Sequence, residues 1–516
     1  MTISAPGSSI AAVDWRKLAI YCSLTFLLLL IPLRISGFGN IPPDDCGRHV
    51  AFAVDDRPWS AVLVLNENIL DSVDSHPGWH AYLRAAHQWM GLDPEGLVVL
   101  SFTTTFCIFA CMGLYASDSP VAWTVAMLAM VLLDPGMIFR TLLGRPFAIS
   151  MAVLAGLLFL WQRKYRLSKL AEYAVTSVAL GLAIVTHPSW YIWLMVPVAF
   201  VLAGRLEDGL RFGLCLLFGL LIATGLAGSY YNIVFYPIHH LAMSLAQDPI
   251  RRIQLVGEFQ PGSGAVLVVF IVVLVLGLRT VAGRSWREEL KRPDFCLLVL
   301  GWLLGLYVMR FWGDWGAVAF VVWFSTRINE VVQSVKDRWQ QLALGALSCA
   351  GLFLLVSSDA GGRYSSSLTE VLMTKPTEEL RKFLPDAGGI MYSTDMRFFY
   401  QTYYRMPEAG FQYVLGFEPG MMRTDDLAVF RKIQFNQDSV ESQEQWFKRM
   451  TPHDRILIAA PMKPVVNGLE FEPFAGRWIG RKVKTSPKTE MAKESQSKPA
   501  TVPGAADESP PKTNSK

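Results

Sequence analysis

Two acidic pairs, an arginine and a histidine crowd the stretch IPPDDCGRHVAFAVDD at residues 41–56, directly after the apolar run LAIYCSLTFLLLLIPLRI. Asp44 and Asp45 are adjacent carboxylates. Such a pair can bind a divalent cation such as Mg2+ or Mn2+, or leave one member as a general base whose pKa is raised by its neighbour's charge and by partial burial. A solvated acidic turn after Pro42-Pro43 accounts for the same residues without chemistry. Asp55-Asp56, followed by Arg57-Pro58, reads as a turn.

Further charged groups stand near the ends of apolar runs, where an unpaired charge is costly. They are Arg48 and His49; Asp134, Arg140 and Arg145; His187; His239 and His240; Asp248, Arg251 and Arg252; and Arg310 and Asp314. Arginine grips phosphate oxygens bidentately and tolerates burial at an interface, so Arg140, Arg145 and Arg310 are candidates for an anionic ligand; a snorkelling side chain is the plainer account of the first two. Asp134-Pro135 is either a second acidic group or the cap of a turn. In RFWGDWG, Arg310 and Asp314 lie four apart, either as an intrahelical pair or as a site. His187 and His239 can meet phosphate or metal, but adjacent His239 and His240 cannot easily place both rings on one ion, which disfavours zinc. No phosphate-binding glycine loop, H-E-x-x-H or nucleophile elbow stands in a convincing context, so nucleotide chemistry has no support.

The elements that must position these groups are apolar. The chain has 516 residues, 52% hydrophobic and only 17% charged, with positive mean hydropathy. This is the balance of a polytopic α-helical membrane protein. About eleven windows approach the length that spans the hydrocarbon core. They are 18–36, 96–115, 119–138, 146–162, 170–187, 189–204, 211–229, 264–280, 295–311, 315–332 and 341–357. A closed β-barrel would alternate with period two instead. Basic loops at Arg16-Lys17, 163–169, 279–292 and 327–338 fall on alternating sides of this series. They put the N-terminus in the cytoplasm and, with an odd number of spans, the C-terminal region outside. The first run lacks a small-residue cleavage site and reads as an uncleaved anchor. Six of the seven cysteines lie in apolar runs and read as packing residues. The net charge of +4 sits in the inner loops and gives no support for nucleic-acid binding.

Three regions follow: a membrane domain over 1–357 with a large outer loop at 37–95, a small α/β domain over 358–483, and a disordered tail over 484–516. In the loop, Trp79, Tyr82, Leu83, Ala86, Trp89 and Met90 recur at helical spacing, as in a helix lying in the membrane interface. In the α/β domain PTEELRKFLP reads as a short helix, GGIMYS and DRILIAAP as buried strands, and the aromatics of RFFYQTYYRMPEAGFQYVLGFEPGMM as core, with ligand contact as the alternative.

A cytoplasmic N-terminus, one span, an outer loop opening on Asp44-Asp45, then HPGWHAYLRAAHQWMG before a second span: this order resembles the GT-C superfamily of membrane glycosyltransferases. That superfamily includes protein O-mannosyltransferases, aminoarabinose transferases and oligosaccharyltransferases. DDCGRHVAFA matches the acidic pair of its first external loop, and HPGW stands where HPP is more usual. The resemblance implies an inverting transfer of a sugar from a polyprenyl-phosphate donor to a glycan, lipid or protein acceptor outside the inner (plasma) membrane. It implies Asp45 or Asp44 as catalytic base, with these two as ligands if a divalent cation is used. Arg48, Arg140, Arg145, His187, His239 and Arg310 would then hold the donor phosphate, and Asp134 and Asp314 would serve as second acidic or acceptor residues. A transporter or flippase, a non-catalytic assembly subunit of the same fold, and a polysaccharide polymerase or ligase are the competing readings.

Overall fold

The computed structural model describes residues 14–37, 45–67, 73–162, 167–244, 260–262, 264–359, 381–436 and 439–483; the side chains of 138–139, 240 and 242–244 are excepted. Asp44, Asp248, Arg251, Arg252, the first half of PTEELRKFLP and the tail lie outside the described residues.

Each of the eleven apolar windows coincides with a helix. Five are long and apolar enough to cross a membrane: Trp15–Gly37, Pro94–Ala116, Lys169–Thr186, Leu206–Ala227 and Arg338–Ser357. Others are shorter than expected because polar or helix-breaking residues interrupt them. The window at 119–138 ends at Leu133, where Asp134 leaves helical geometry and Pro135 starts a new turn. The window at 295–311 ends at Gly305, and the chain resumes in a π-helical turn, Trp312–Gly316, ahead of the helix Ala317–Ser334. Helices with few buried residues carry continuous apolar surface, as a lipid-facing helix should. Leu210, Leu214, Leu217 and Leu221 form one such exposed stripe on Leu206–Ala227. The polytopic architecture expected from composition is the one observed.

Inside the bundle the helices meet through small residues. Gly113 packs on the indole of Trp123, whose Nε1 donates to the Ala110 carbonyl at 3.0 Å. A Cβ at Gly113 would fall 2.1 Å from that ring, and a buried indole has nowhere to move. Gly113→Ala therefore lowers stability by about 3 kcal/mol, as overpacking does. Gly225→Ala, whose Cβ would meet nothing within 4 Å, stabilises its helix. Thermal unfolding in detergent separates the two.

The C-terminal unit holds a five-stranded sheet in the order β2-β1-β3-β5-β4. The strands are β1 (Ile390–Tyr392), β2 (Gln412–Tyr413), β3 (Arg455–Ile458), β4 (Leu469–Phe474) and β5 (Arg477–Lys482). β2 and β3 flank β1 in parallel, β5 adds antiparallel to β3, and β4 adds antiparallel to β5. GGIMYS and DRILIAAP supply β1 and β3, as expected. The aromatic stretch folds as the helix Met396–Arg405, with Phe398, Phe399, Tyr400, Tyr403 and Tyr404 buried.

This unit is joined to the first long loop. Val64 and Asn66 donate their backbone N–H groups to Tyr413 and Met421 carbonyls, both at 2.9 Å. Trp59 packs on Phe417 at 5.0 Å between ring centroids. The two segments thereby close over one cavity.

Candidate functional site

Cys46–Asp55 is a helix that begins immediately after Asp45. A residue just before the first turn shares a face with those three and four positions on, so Asp45, Arg48 and His49 converge. Arg48 donates from Nε to Asp45 Oδ1 at 2.5 Å and from Nη2 to Oδ2 at 2.8 Å. His49 Nε2 lies 3.4 Å from Oδ2, and Arg145 Nη2 3.6 Å. Asp45, Arg48 and His49 are all at most 5% exposed. The Arg48 guanidinium carbon stands 4.0 Å from the centre of the Phe417 ring, and its Nη1 is buried with no hydrogen-bond partner among the described residues.

Burial alone would raise the Asp45 carboxyl, but the charge and hydrogen bonds of Arg48, with a smaller share from His49, hold it well below the usual carboxylate range. The expectation of a raised pKa is therefore overturned: Asp45 sits among cations instead of beside another described carboxylate. The His49 pKa falls as well, which for a histidine favours the neutral form. Burial and then the Arg48 charge push it down to about 3, so its ring is neutral. His76 is depressed too, by burial and then by His49 and His187.

The cavity in front of Asp45 draws on the whole chain. Arg48, His49, His76, Arg145, His187 and Arg310 line it, with Tyr191, Tyr236, Tyr400, Phe417 and Glu418. Tyr236 donates to Glu418 Oε2 at 3.3 Å, tying the helix Tyr236–Ser244 to the C-terminal unit. Arg310 is aimed from two sides: its Nε donates to Asp314 Oδ2 at 3.1 Å, and its Nη2 to His187 Nε2 at 2.7 Å.

Of the residues singled out in the sequence, Asp45, Arg48, His49, Arg145, His187 and Arg310 are brought together, and four of the described candidates stand elsewhere. Arg140 is not in the cavity lining: its Nε and Nη2 donate to Asp314 Oδ1 at 3.1 and 2.5 Å, and it lies over Phe147. Asp314 is occupied as the shared anion of Arg140 and Arg310, which is the intrahelical pair enlarged by one partner. Asp134 caps its helix and accepts from Trp312 Nε1 at 2.9 Å. His239 is exposed, turned away from the cavity that Tyr236 and Pro237 line. Asp55 pairs with Arg57, and Asp56 takes a left-handed φ of 51° while pairing with Arg84, which makes the second acidic pair a turn.

A divalent cation does not fit Asp45 as it stands, because both oxygens are committed to guanidinium groups whose charge would repel it. No cluster of three or more His, Cys, Asp or Glu groups able to hold a metal occurs among the described residues.

The sequence reading passed over His76 and His80, treating their helix, Pro77–Met90, as an interfacial one. Trp89 and Met90 at its end are exposed, yet Trp79, His80, Leu83 and Ala86 are buried. The spacing of four between the two histidines was the available signal. Tyr400 and Glu418 carried none, since only the tertiary fold brings them to Asp45.

The chain matches no protein-family model and no curated protein. Among solved structures it is similar to the Archaeoglobus fulgidus oligosaccharyltransferase tethered with an acceptor peptide containing the NVT sequon. The identity is 12% and the TM-score 0.49, over 86% of this chain and 70% of that one.

Proposed function

We propose that this protein is a glycosyltransferase of the GT-C type, moving a sugar from a polyprenyl-phosphate donor to an acceptor hydroxyl at the extracytoplasmic side of the membrane. The observation that carries the reading is the pairing, in one cavity, of a buried carboxylate with a buried guanidinium donor, Arg48 Nη1, that has no hydrogen-bond partner among the described residues. An unsatisfied buried donor calls for a ligand acceptor atom, and an anionic oxygen satisfies it best.

Arg145 and Arg310 take the donor phosphate and stabilise the charge that grows on it as the sugar–oxygen bond breaks. Arg145 lies 3.6 Å from Asp45, so its recruitment by phosphate withdraws one cation from that carboxylate and makes it more basic. Asp45 then accepts the proton of the acceptor hydroxyl as its oxygen attacks the anomeric carbon. Tyr191, Tyr236 and Phe417 supply apolar faces for a sugar ring.

The test is binding of farnesyl phosphate, followed by turnover of farnesyl-phosphate-linked hexoses and pentoses, by the full chain in nanodiscs. Arg145→Met should weaken farnesyl phosphate binding about tenfold, the loss of roughly 1.4 kcal/mol of charge-assisted contact. Wild-type protein that binds no lipid phosphate, or binding untouched by Arg145→Met, overturns the reading.

A further inference from the structure

Behind Asp45 runs a line of titratable groups that the transfer chemistry above leaves unused. His49 Nδ1 lies 2.8 Å from His80 Nε2, and His80 Nδ1 lies 2.7 Å from Asp74 Oδ1. His49 comes from the helix at Asp45, His80 from the first turn of Pro77–Met90, and Asp74 from the segment before that helix. Asp74 is fixed by accepting the backbone N–H of His76 at 2.8 Å. Both imidazoles are essentially fully buried, while the Asp74 side chain is 21% exposed.

We propose that His49 and His80 form a proton relay that carries the acceptor's proton from Asp45 to the His80–Asp74 pair. The proposal rests on the transfer reading. The hydrogen-bond partners dictate the tautomers. At rest, His80 donates from Nδ1 to the Asp74 carboxylate, and its Nε2 accepts from His49 Nδ1–H. That leaves the His49 Nε2 lone pair beside Asp45, where it accepts from Arg48 Nη2 at 3.3 Å.

The acceptor's O–H bond breaks as its oxygen bonds the anomeric carbon, and the electron pair of the sugar–oxygen bond departs with the phosphate. The proton passes from Asp45 to His49 Nε2, and the Nδ1–H of His49 passes to His80 Nε2. One proton has moved, and it now rests on His80 as an imidazolium against the Asp74 carboxylate.

The neighbours set the direction. Arg48 shares a helix with His49 and opposes a cation there, as the depressed pKa of that ring reflects. His76 stands edge-on to His49 at 4.6 Å with His187 beyond it, Arg145 lies on the Asp45 side, and the apolar Phe52 ring packs 4.6 Å from His80. The negative group in contact with His80 is Asp74, whose own carboxyl is held down against burial chiefly by that histidine. The positive charge is thus favoured at the far end of the line, at the partly exposed carboxylate.

Ring-nitrogen NMR on the full chain in lipid bilayers, with labelled histidines assigned by His49→Gln and His80→Gln, reads the relay without any donor. As the pH is lowered, the gain of a second ring proton by His80 and the switch of His49 from the Nδ1–H to the Nε2–H tautomer should share one midpoint. Asp74→Asn should move both midpoints down together by about one pH unit or more. In the transfer assay Asp74→Asn should lower kcat about a hundredfold with donor KM unchanged. Histidines that titrate without coupling, or an Asp74→Asn variant with wild-type kcat, overturn the relay. Either result leaves sugar transfer standing, because that rests on Asp45 and the arginines.

Discussion

Asp45→Asn loses sugar transfer by about 10²–10⁴-fold, the contribution of a positioned general base, while farnesyl phosphate binding stays within about threefold, roughly 0.7 kcal/mol. The asparagine keeps the shape of the aspartate and one acceptor for Arg48, but it has no basic carboxylate. The two readouts separate because the phosphate is held by the charges of Arg145 and Arg310, which the substitution leaves in the cavity. Arg310 is oriented by Asp314 and His187. Arg48 gains an uncompensated charge in the variant, and an anionic ligand relieves it, so binding is retained or tightened. Stability moves in the opposite direction, since a buried guanidinium is left with a neutral partner. Asp45→Asn/Arg48→Met should therefore be more stable than Asp45→Asn alone, while remaining inactive. A single variant that transfers sugar at near wild-type rate would remove Asp45 from the chemistry.

The sequence disclosed the scaffold more fully than the site, for a physical reason. Apolar runs report burial in lipid directly, so every window from 18–36 to 341–357 found its helix, and only the ends moved. Those ends moved at Asp134-Pro135 and between Gly305 and Met309, where polar or helix-breaking residues override hydropathy. Asp45, Arg48 and His49 were legible as one cluster because a helix converts spacing of three and four into contact. The lowered Asp45 pKa was not, because it depends on which charges surround a buried group, and Arg145 comes from a distant turn. His239 and Arg140 illustrate the converse. Both are cationic or titratable residues near helix ends, but one is turned outward and the other is claimed by Asp314, and neither orientation is written in local sequence. Glu418 enters the cavity from the C-terminal unit because backbone hydrogen bonds at Val64 and Asn66 anchor the first loop to that unit.

Asp314 makes the sharpest distinction between holding the fold and holding a ligand. Its carboxylate, 4% exposed, accepts from two guanidinium groups on different helices: Arg310, four residues back, and Arg140, across the bundle. Asp314→Asn leaves two partly buried cations facing a neutral amide, so stability should fall by about 3–5 kcal/mol, the range seen when one member of a buried ion pair is removed. Removing a cation as well should restore part of that loss, and the choice of cation should decide what happens to binding. In Asp314→Asn/Arg140→Met, Arg310 keeps His187 and the amide oxygen as guides, so farnesyl phosphate affinity should stay near wild type. In Asp314→Asn/Arg310→Met the fold should recover comparably, but affinity should drop about tenfold, the roughly 1.4 kcal/mol of one charge-assisted contact. Chemical denaturation and lipid-phosphate titration on the same preparations give both quantities. Equal affinities in the two double variants would mean that Arg310 does not hold the phosphate, and the anion would then be left to Arg145 and Arg48.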